Sequence, residues 1–181
     1  MRALDETSPY PSSTALVIVI KPITPRNALV FRAVRLRALE DAPQAFTSTY
    51  AEESRLPDSE WLARAERMNG ERGAGFLAMD GEDACGMVGV FLDQNDLRRA
   101  LLVSMWTAPT HRRQGVGRLL VEEVLNWSRL RRVRTVLLMV TAINESAIRF
   151  YERLGFTRTG HTEPYPNNPA ILDHEMSRQI P

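Results

Sequence analysis

The stretch Val103–Leu120, VSMWTAPTHRRQGVGRLL, passes from an apolar run through a basic turn into an amphipathic pattern. The apolar run predicts a strand that Pro109 ends, and the residues that follow the turn predict a helix. The first N–H groups of a helix have no partner within it, and the helix dipole makes that end positive. Gly115 and Gly117 carry no side chain, so an anion can approach the main chain closely. The stretch therefore predicts a phosphate-binding turn.

Three interpretations of these glycines compete. The first is a plain strand-to-helix turn with solvated arginines. The second is a dinucleotide turn, which needs a third glycine where Leu120 stands and an acidic residue about 20 positions later, where the chain reads VLLMV at Val136–Val140. A nucleoside-triphosphate loop is excluded, because the chain has no G-x-x-x-x-G-K-[ST] pattern. The third interpretation is a turn that holds the pyrophosphate of acetyl-coenzyme A.

Two motifs resemble signatures of the GNAT acetyltransferases. The run RRQGVG at Arg112–Gly117 resembles the pyrophosphate signature [QR]-x-x-G-x-[GA]. The run NESAIRFYERLGF at Asn144–Phe156 resembles the segment N-x-x-A-x-x-x-Y-x-x-x-G-F. Two motifs in this order are much harder to obtain by chance than one. The resemblance covers Phe76–Thr159 and implies transfer of an acetyl group from acetyl-CoA to an amine.

The resemblance also implies how the cofactor is held. Main-chain N–H groups from Arg113 to Arg118 would point at the pyrophosphate. The strand before the turn would dock the extended pantetheine arm through its last main-chain groups and polarise the thioester carbonyl. Asn144 would contact the cofactor and cap its helix. The predicted cofactor-binding residues are Met105, Thr107, Arg112, Arg113, Gln114, Gly115, Val116, Gly117, Arg118 and Asn144, and no metal is expected.

Tyr151 is the predicted catalytic residue. It follows Asn144 by two helical turns, so both side chains project from nearly one face of their helix. A phenol with a pKa of about 10 can protonate a leaving thiolate whose conjugate acid has a pKa of about 8.5. Helical tyrosines are more often packing residues, but the surrounding motif favours the role of general acid. Direct transfer without an acyl-enzyme is expected, since no activated nucleophile is visible.

The general base and the acceptor stay open. Many relatives carry a glutamate on the strand before the turn, whereas Leu101–Thr107 has no carboxylate. A water relay or a residue elsewhere would take the proton, unless the amine arrives neutral. The base candidates are Glu40, Asp41, Asp93 and His161. The acceptor is expected to be a small-molecule or peptide amine, with Phe46, Tyr50, Trp61, Tyr165 and Asn167 as candidate lining residues.

Composition bounds the class of protein. The 181 residues suit one domain, and 44% hydrophobic with 25% charged residues is ordinary for a soluble globular protein. Lys+Arg 23 against Asp+Glu 22 gives no electrostatic case for nucleic acid or membrane. Cys85, the only cysteine, is expected in the core. No secretory signal or spanning segment is visible, so a cytoplasmic location is expected.

Two other functions are alternatives to that of an acetyltransferase. A non-catalytic acyl-CoA-binding module would need the cofactor site but no base. A nucleic-acid binder would use the basic run Arg129–Arg134, although cations at a helix C-terminus also have a structural explanation. An exposed strand edge would allow a homodimer, and nothing in the sequence decides it.

Periodicity and turn residues predict an α/β fold with the order β-α-α-β-β-β-α-β-α-β-β. The resemblance implies a mixed, mostly antiparallel sheet flanked by about four helices. One domain is expected over residues 15–181, after a flexible tail at residues 1–14. The segments Gly70–Gly75 and Gly160–Pro169 are predicted loops. The predicted strands are Ala15–Ile20, Phe76–Met79, Ala84–Leu92, Leu101–Thr107, Val133–Thr141, Phe156–Thr159 and Ala170–Met176.

Overall fold

The computed structural model describes residues 17–181, so the predicted tail at residues 1–14 lies outside the described residues. The strands are β1 Ile18–Pro22, β2 Gly73–Asp80, β3 Asp83–Leu92, β4 Arg99–Thr107, β5 Thr135–Thr141, β6 Thr157–Tyr165 and β7 Asn168–Gln179. The helices are α1 Ala28–Asp41, α2 Tyr50–Glu53, α3 Asp58–Arg67, α4 Val116–Leu130 and α5 Glu145–Arg153. Short 3-10 turns lie at Pro25–Asn27, Pro43–Ala45 and Pro109–His111.

The strands form one 7-stranded sheet in the order β1-β2-β3-β4-β5-β7-β6. Every neighbouring pair is antiparallel except β4 and β5, which run parallel. The predicted α/β class and mostly antiparallel sheet are confirmed, and the predicted element order is confirmed apart from one additional helix. The sequence pattern did not predict α2, a helix of 4 residues that a Thr49–Glu52 capping box begins.

The two parallel strands pair over only a short length. Their register runs from Arg99 opposite Thr135 to Leu101 opposite Leu137 and stops there. Beyond that point β4 remains paired with β3, and β5 remains paired with β7. The facing edges of β4 and β5 therefore stay unpaired toward their C-terminal ends. We call this opening the β4–β5 wedge.

Helices cover both faces of β4. The side chain of Met105 points toward Gly117 at the start of α4, whereas the indole of Trp106 donates to Asp41 at the end of α1. Because successive strand residues point to opposite faces, α1 and α4 lie on opposite sides of the sheet. The buried face of α4 is apolar, as its amphipathic pattern predicts, and comprises Val116, Leu120, Val121, Val124 and Leu125.

Gly73 and Gly75 belong to β2, so the predicted loop at Gly70–Gly75 is wrong for its second half. A Cβ at Gly73 would lie 2.5 Å from the Phe91 ring, and a Cβ at Gly75 would lie 2.7 Å from Ile23. These glycines let side chains pack against the strand backbone, a use of glycine that local sequence does not distinguish from a turn.

The predicted loop at Gly160–Pro169 is also wrong, because β6 extends to Tyr165 and β7 begins at Asn168. Its prolines suggested a loop, since proline cannot donate to a strand ladder. Pro164 is accommodated because β6 is the edge strand of the sheet.

Candidate active site

The turn before α4 presents a run of main-chain N–H groups. Arg113 and Gly115 have left-handed φ angles of 61° and 85°. Alternation of such residues with ordinary ones turns successive amides toward a common point and forms an anion-binding concavity. Within residues 17–181, the amides from Arg113 to Arg118 have no main-chain acceptor. The dipole of α4 adds positive potential at the same place.

The two glycines of the turn serve different purposes. Gly115 needs its positive φ, and a Cβ there would meet nothing within 4 Å, so the space beside it is open. Gly117 lies in a close contact, because a Cβ there would be 3.1 Å from both Met105 Cε and Phe150 Cζ. Gly117 therefore allows the first turn of α4 to approach β4 and α5.

Two of the predicted cofactor side chains hold the turn itself. Arg112 donates from Nε to the Thr107 carbonyl at 3.0 Å and pairs with Asp41. Gln114 donates to the Thr110 carbonyl at 2.8 Å. Arg113 is exposed, and Arg118 forms an exposed ion pair with Glu122. The main chain is thus the part of this turn best placed to bind an anion.

A bulge interrupts β4 just before the turn. Val103 pairs with Gly89 and Trp106 pairs with Met87, so Ser104 and Met105 together oppose Val88. Ser104 has a φ of 56°, a left-handed conformation that is strained for a residue with a side chain. Thr107, the last strand residue, has a buried hydroxyl with no hydrogen-bond partner among residues 17–181. The bulge and Thr107 lie on the part of β4 that borders the wedge.

The helix α5 begins at its cap, Asn144, and carries Tyr151. Asn144 Oδ1 accepts from the Ala147 N–H at 3.2 Å and caps the helix. Tyr151 is 7% exposed, and its ring packs edge-on against Phe150 and Phe156 at centroid distances of 5.1 and 5.7 Å. Burial raises the pKa of the Tyr151 phenol far above its ordinary value, so the hydroxyl stays protonated.

The four base candidates lie at different places. Asp41 accepts from Trp106 Nε1 at 2.8 Å and pairs with Arg112, and the exposed Glu40 lines a cavity beside it. Asp93 precedes β4, at the opposite end of that strand from the turn. Main-chain N–H groups of Asn95 and Asp96 lower the pKa of Asp93. His161 lies on the exposed edge strand, where a hydrogen bond to Glu163 raises its pKa.

Sequence reasoning missed one carboxylate near the end of β5. Asp173 on β7 is opposite Thr141, the last residue of β5, and also opposite Glu163 of β6. Its Oδ1 is buried without a hydrogen-bond partner in the described part of the chain. Burial raises the pKa of Asp173. Strand alternation over the run ILDHEM could have placed it on the same face as Thr141.

Some of the predicted acceptor-lining residues come together. Tyr165 donates to the Phe46 carbonyl at 2.8 Å, and Asn167 donates to the same oxygen at 3.2 Å. These bonds fasten the β6–β7 turn to the loop after α1. Tyr50 is 43% exposed. Trp61 is fully buried against Phe31 and belongs to the core, so its predicted place in the pocket is wrong.

The basic run after α4 is bonded to its own surroundings. Arg131 stacks on Trp127 at 4.1 Å and donates to the Glu71 carbonyl, and Arg129 donates to Asn126. Cys85 is fully buried, as predicted. Over residues 17–181, no helix has the length and apolar character that crossing a membrane requires.

The chain is similar in sequence to known acetyltransferases. The alanine N-acetyltransferase of ribosomal protein bS18 from Escherichia coli K12 is 34% identical over 129 residues, which cover 70% of this chain and 84% of that protein. Human N-acetyltransferase 8 is 35% identical over 96 residues, 51% of this chain, and the match spans only 42% of the human protein.

A solved structure shows the same fold. The protein yncA from Salmonella typhimurium, solved with its cofactor acetyl-CoA, superposes with a TM-score of 0.75 at 15% identity, over 91% of this chain and 95% of that one. The family model described as "Acetyltransferase (GNAT) family" matches residues 36–156. That match includes most of the sheet, the turn before α4 and the helix that carries Asn144 and Tyr151. The chain is therefore an enzyme of the GNAT acetyltransferase family.

Proposed function

We propose that this enzyme moves the acetyl group of acetyl-CoA directly to an amine of a peptide or small molecule. The observation that carries the proposal is the run of amides from Arg113 to Arg118, directly after β4, that have no main-chain acceptor among residues 17–181. Such a run suits a pyrophosphate. The seven strands share one sheet, which supports a single catalytic domain in the described residues.

The free edge of β4 receives the pantetheine arm. Its main-chain groups beside the wedge are available for pairing with an extended, amide-bearing chain, as an added strand would pair. This arrangement would bring the thioester to the bulge at Ser104–Met105. Main-chain N–H groups there polarise the carbonyl, an effect worth about 2.7–4 kcal/mol for one well-placed donor.

Tyr151 supplies the proton for the leaving thiolate. Its packed ring fixes the position of the hydroxyl, and its raised pKa keeps the hydroxyl protonated and able to donate as the thiolate departs. Asn144 supports this role by capping the helix that carries Tyr151. Three further residues act indirectly, because they fix the turn and its distance from β4: Arg112, Gln114 and Gly117.

Water or Asp173 takes the proton of the attacking amine. Asp173 lies level with the end of β5, and its raised pKa makes its ionised form a better base than an ordinary aspartate. The acceptor would enter beside the wall that the Phe46 loop and the β6–β7 turn form together, which the bonds from Tyr165 and Asn167 hold in place. The relative named for an alanine of a ribosomal protein supports a peptide α-amine as the first acceptor to test.

Calorimetric titration with acetyl-CoA, with NAD as the control ligand, tests the cofactor. Saturable one-site binding of acetyl-CoA alone is expected. Release of free thiol is then measured with an alanine-starting peptide and a panel of small amines. Binding without thiol release from any of them would favour the non-catalytic acyl-CoA-binding module, and absence of binding would contradict the proposal.

A further inference from the structure

A buried ion pair lies beside the reactive strand and has no part in the mechanism described above. Arg35 of α1 is 8% exposed and Glu53 of α2 is 3% exposed. Arg35 donates from Nε and Nη2 to the two carboxylate oxygens of Glu53 at 3.1 and 3.0 Å. Burial by itself raises the pKa of Glu53, but hydrogen bonds from Arg35 and Ser48 outweigh it and leave the pKa below its usual value.

The guanidinium of Arg35 is fixed in one orientation. Nη2 also donates to the Ser48 hydroxyl at 2.8 Å, and the group lies over the Phe46 ring at 4.5 Å. Arg64 holds Glu53 from a second side at 3.1 Å. A planar fork with this many partners has little freedom to rotate.

The third nitrogen of the Arg35 guanidinium, Nη1, reaches the bulge of β4. Arg35 Nη1 donates to the Ser104 hydroxyl at 3.1 Å. Among residues 17–181, Ser104 is the only residue other than glycine that has a positive φ within a strand. A strained main-chain conformation persists only where the surroundings hold it, and such residues concentrate at active sites. Arg35 is the side chain that bonds to this residue.

Stability alone is a weak explanation for such a pair. Removing two charges from water is expensive, and an apolar pair of similar volume often stabilises a fold as well or better. The arrangement is better explained by orientation, because it joins α1, α2 and the loop at Phe46 and Ser48 to one point on β4.

We propose that Arg35, held by Glu53, is a positioning residue that fixes the Ser104 bulge, and with it the main-chain amides that polarise the thioester carbonyl. This inference rests on the proposed function. Arg35 acts through Ser104 and through the β4 main chain, and no contact of Arg35 with the reacting atoms is required. The same guanidinium, through Phe46 and Ser48, aligns the acceptor wall with the bulge.

Polarisation of the acetyl-CoA carbonyl can be measured in the absence of an acceptor amine. Infrared difference spectra of acetyl-CoA labelled with ¹³C at the acetyl carbonyl are compared between the free and the bound cofactor. In the wild type, the stretching frequency should fall on binding. In Ser104→Ala, about half or more of this shift should disappear, while the Kd for acetyl-CoA changes by less than about twofold. Ser128→Ala is the control, because Ser128 is a buried serine whose hydroxyl bonds only to the Val124 carbonyl in α4.

The outcomes separate this inference from the proposed function. A wild type that does not bind acetyl-CoA, or binds it without a shift, contradicts the proposed function. A wild type with the shift and a Ser104→Ala variant with the same shift overturn the role of Arg35 and Ser104. A shift lost in Ser128→Ala as well would overturn it too, because the effect would then be general.

Turnover supplies a second test, with the acceptor that the amine panel identifies. Arg35→Lys keeps the charge but loses the planar guanidinium, and Ser104→Ala loses the hydroxyl that Arg35 holds while keeping a side chain at the positive φ. Both should reduce kcat by about tenfold or more with little change in the KM for acetyl-CoA. Ser104→Ala removes a single oxygen and is expected to fold, so its full activity would overturn the proposal even if Arg35→Lys is unstable.

Discussion

At the scale of single residues, Gly115 and Gly81 form a matched pair. Both have positive φ, of 85° and 59°, and a Cβ on either would meet nothing within 4 Å. Gly115→Ala and Gly81→Ala should therefore each lower the free energy of unfolding by about 1 kcal/mol. Only Gly115→Ala should weaken acetyl-CoA binding, by about tenfold, because a methyl group then stands where the phosphate approaches. Calorimetry and denaturant unfolding measure the two effects, and an equal Kd in both variants would contradict the assignment of the turn.

Tyr151→Phe isolates the phenolic oxygen. The ring would keep its edge-on contacts with Phe150 and Phe156, so stability and acetyl-CoA affinity should stay close to wild type. Loss of a general acid should reduce kcat by about 100-fold. The measurement is thiol release at saturating acetyl-CoA, with Ser128→Ala as the control because it also removes a buried hydroxyl, from another helix. Wild-type turnover in Tyr151→Phe would remove the proposed acid.

At the scale of elements, the pairing of β5 with β7 places Asp173 in surroundings that disfavour its charge. Burial and the nearby Glu163 raise the pKa of Asp173, whereas Thr141 and the charge on His174 oppose the rise. A carboxyl whose pKa is raised by folding stabilises the fold below its unfolded pKa, and this contribution is lost as the pH rises through the folded pKa.

Asp173→Asn should therefore be more stable than wild type at neutral pH, with the difference shrinking as the pH falls toward about 4 and absent below that pH. Urea unfolding across that range measures it, with Glu175→Gln as the neighbouring control on β7. If Asp173 is also the base, Asp173→Asn should lose the acidic limb of the kcat/KM profile. If Asp173→Asn and the wild type are equally stable at neutral pH as well as at about pH 4, the surroundings of Asp173 do not disfavour its charged form.

Elements were predictable from the sequence where local chemistry decides them. The helix α4 and its turn followed from Pro109, the two glycines and the apolar spacing, and α5 followed from its cap at Asn144. The hairpin of β6 and β7 was not predictable, since Pro164 is tolerated only because β6 is an edge strand. Strand membership of Gly73 depends on the Phe91 ring from the next strand, which no local pattern reveals.

At the scale of the whole molecule, the wedge and the buried Arg35–Glu53 pair depend on contacts between residues that are far apart in the sequence. Arg35 and Ser104 are far apart in the chain and meet only because α1 packs over β4. A candidate cofactor half of the site was predictable because most of its residues lie in one continuous stretch, Val103–Arg118. The acceptor half was not, because it combines the loop at Phe46 with the turn at Tyr165 and depends on the packing of the entire sheet.

This division predicts how the whole molecule responds to acetyl-CoA. Because the cofactor would occupy one edge of β4 and the turn, hydrogen exchange should slow in residues 102–118 and at the start of α5. Residues 129–134 and the edge strand β6 should exchange at unchanged rates. At a ligand concentration of about 100 times Kd, binding should also stabilise the fold by about 2.7 kcal/mol, which a thermal melt detects. NAD is the control, and protection centred on residues 129–134 would instead indicate that the cofactor binds the basic run beyond α4.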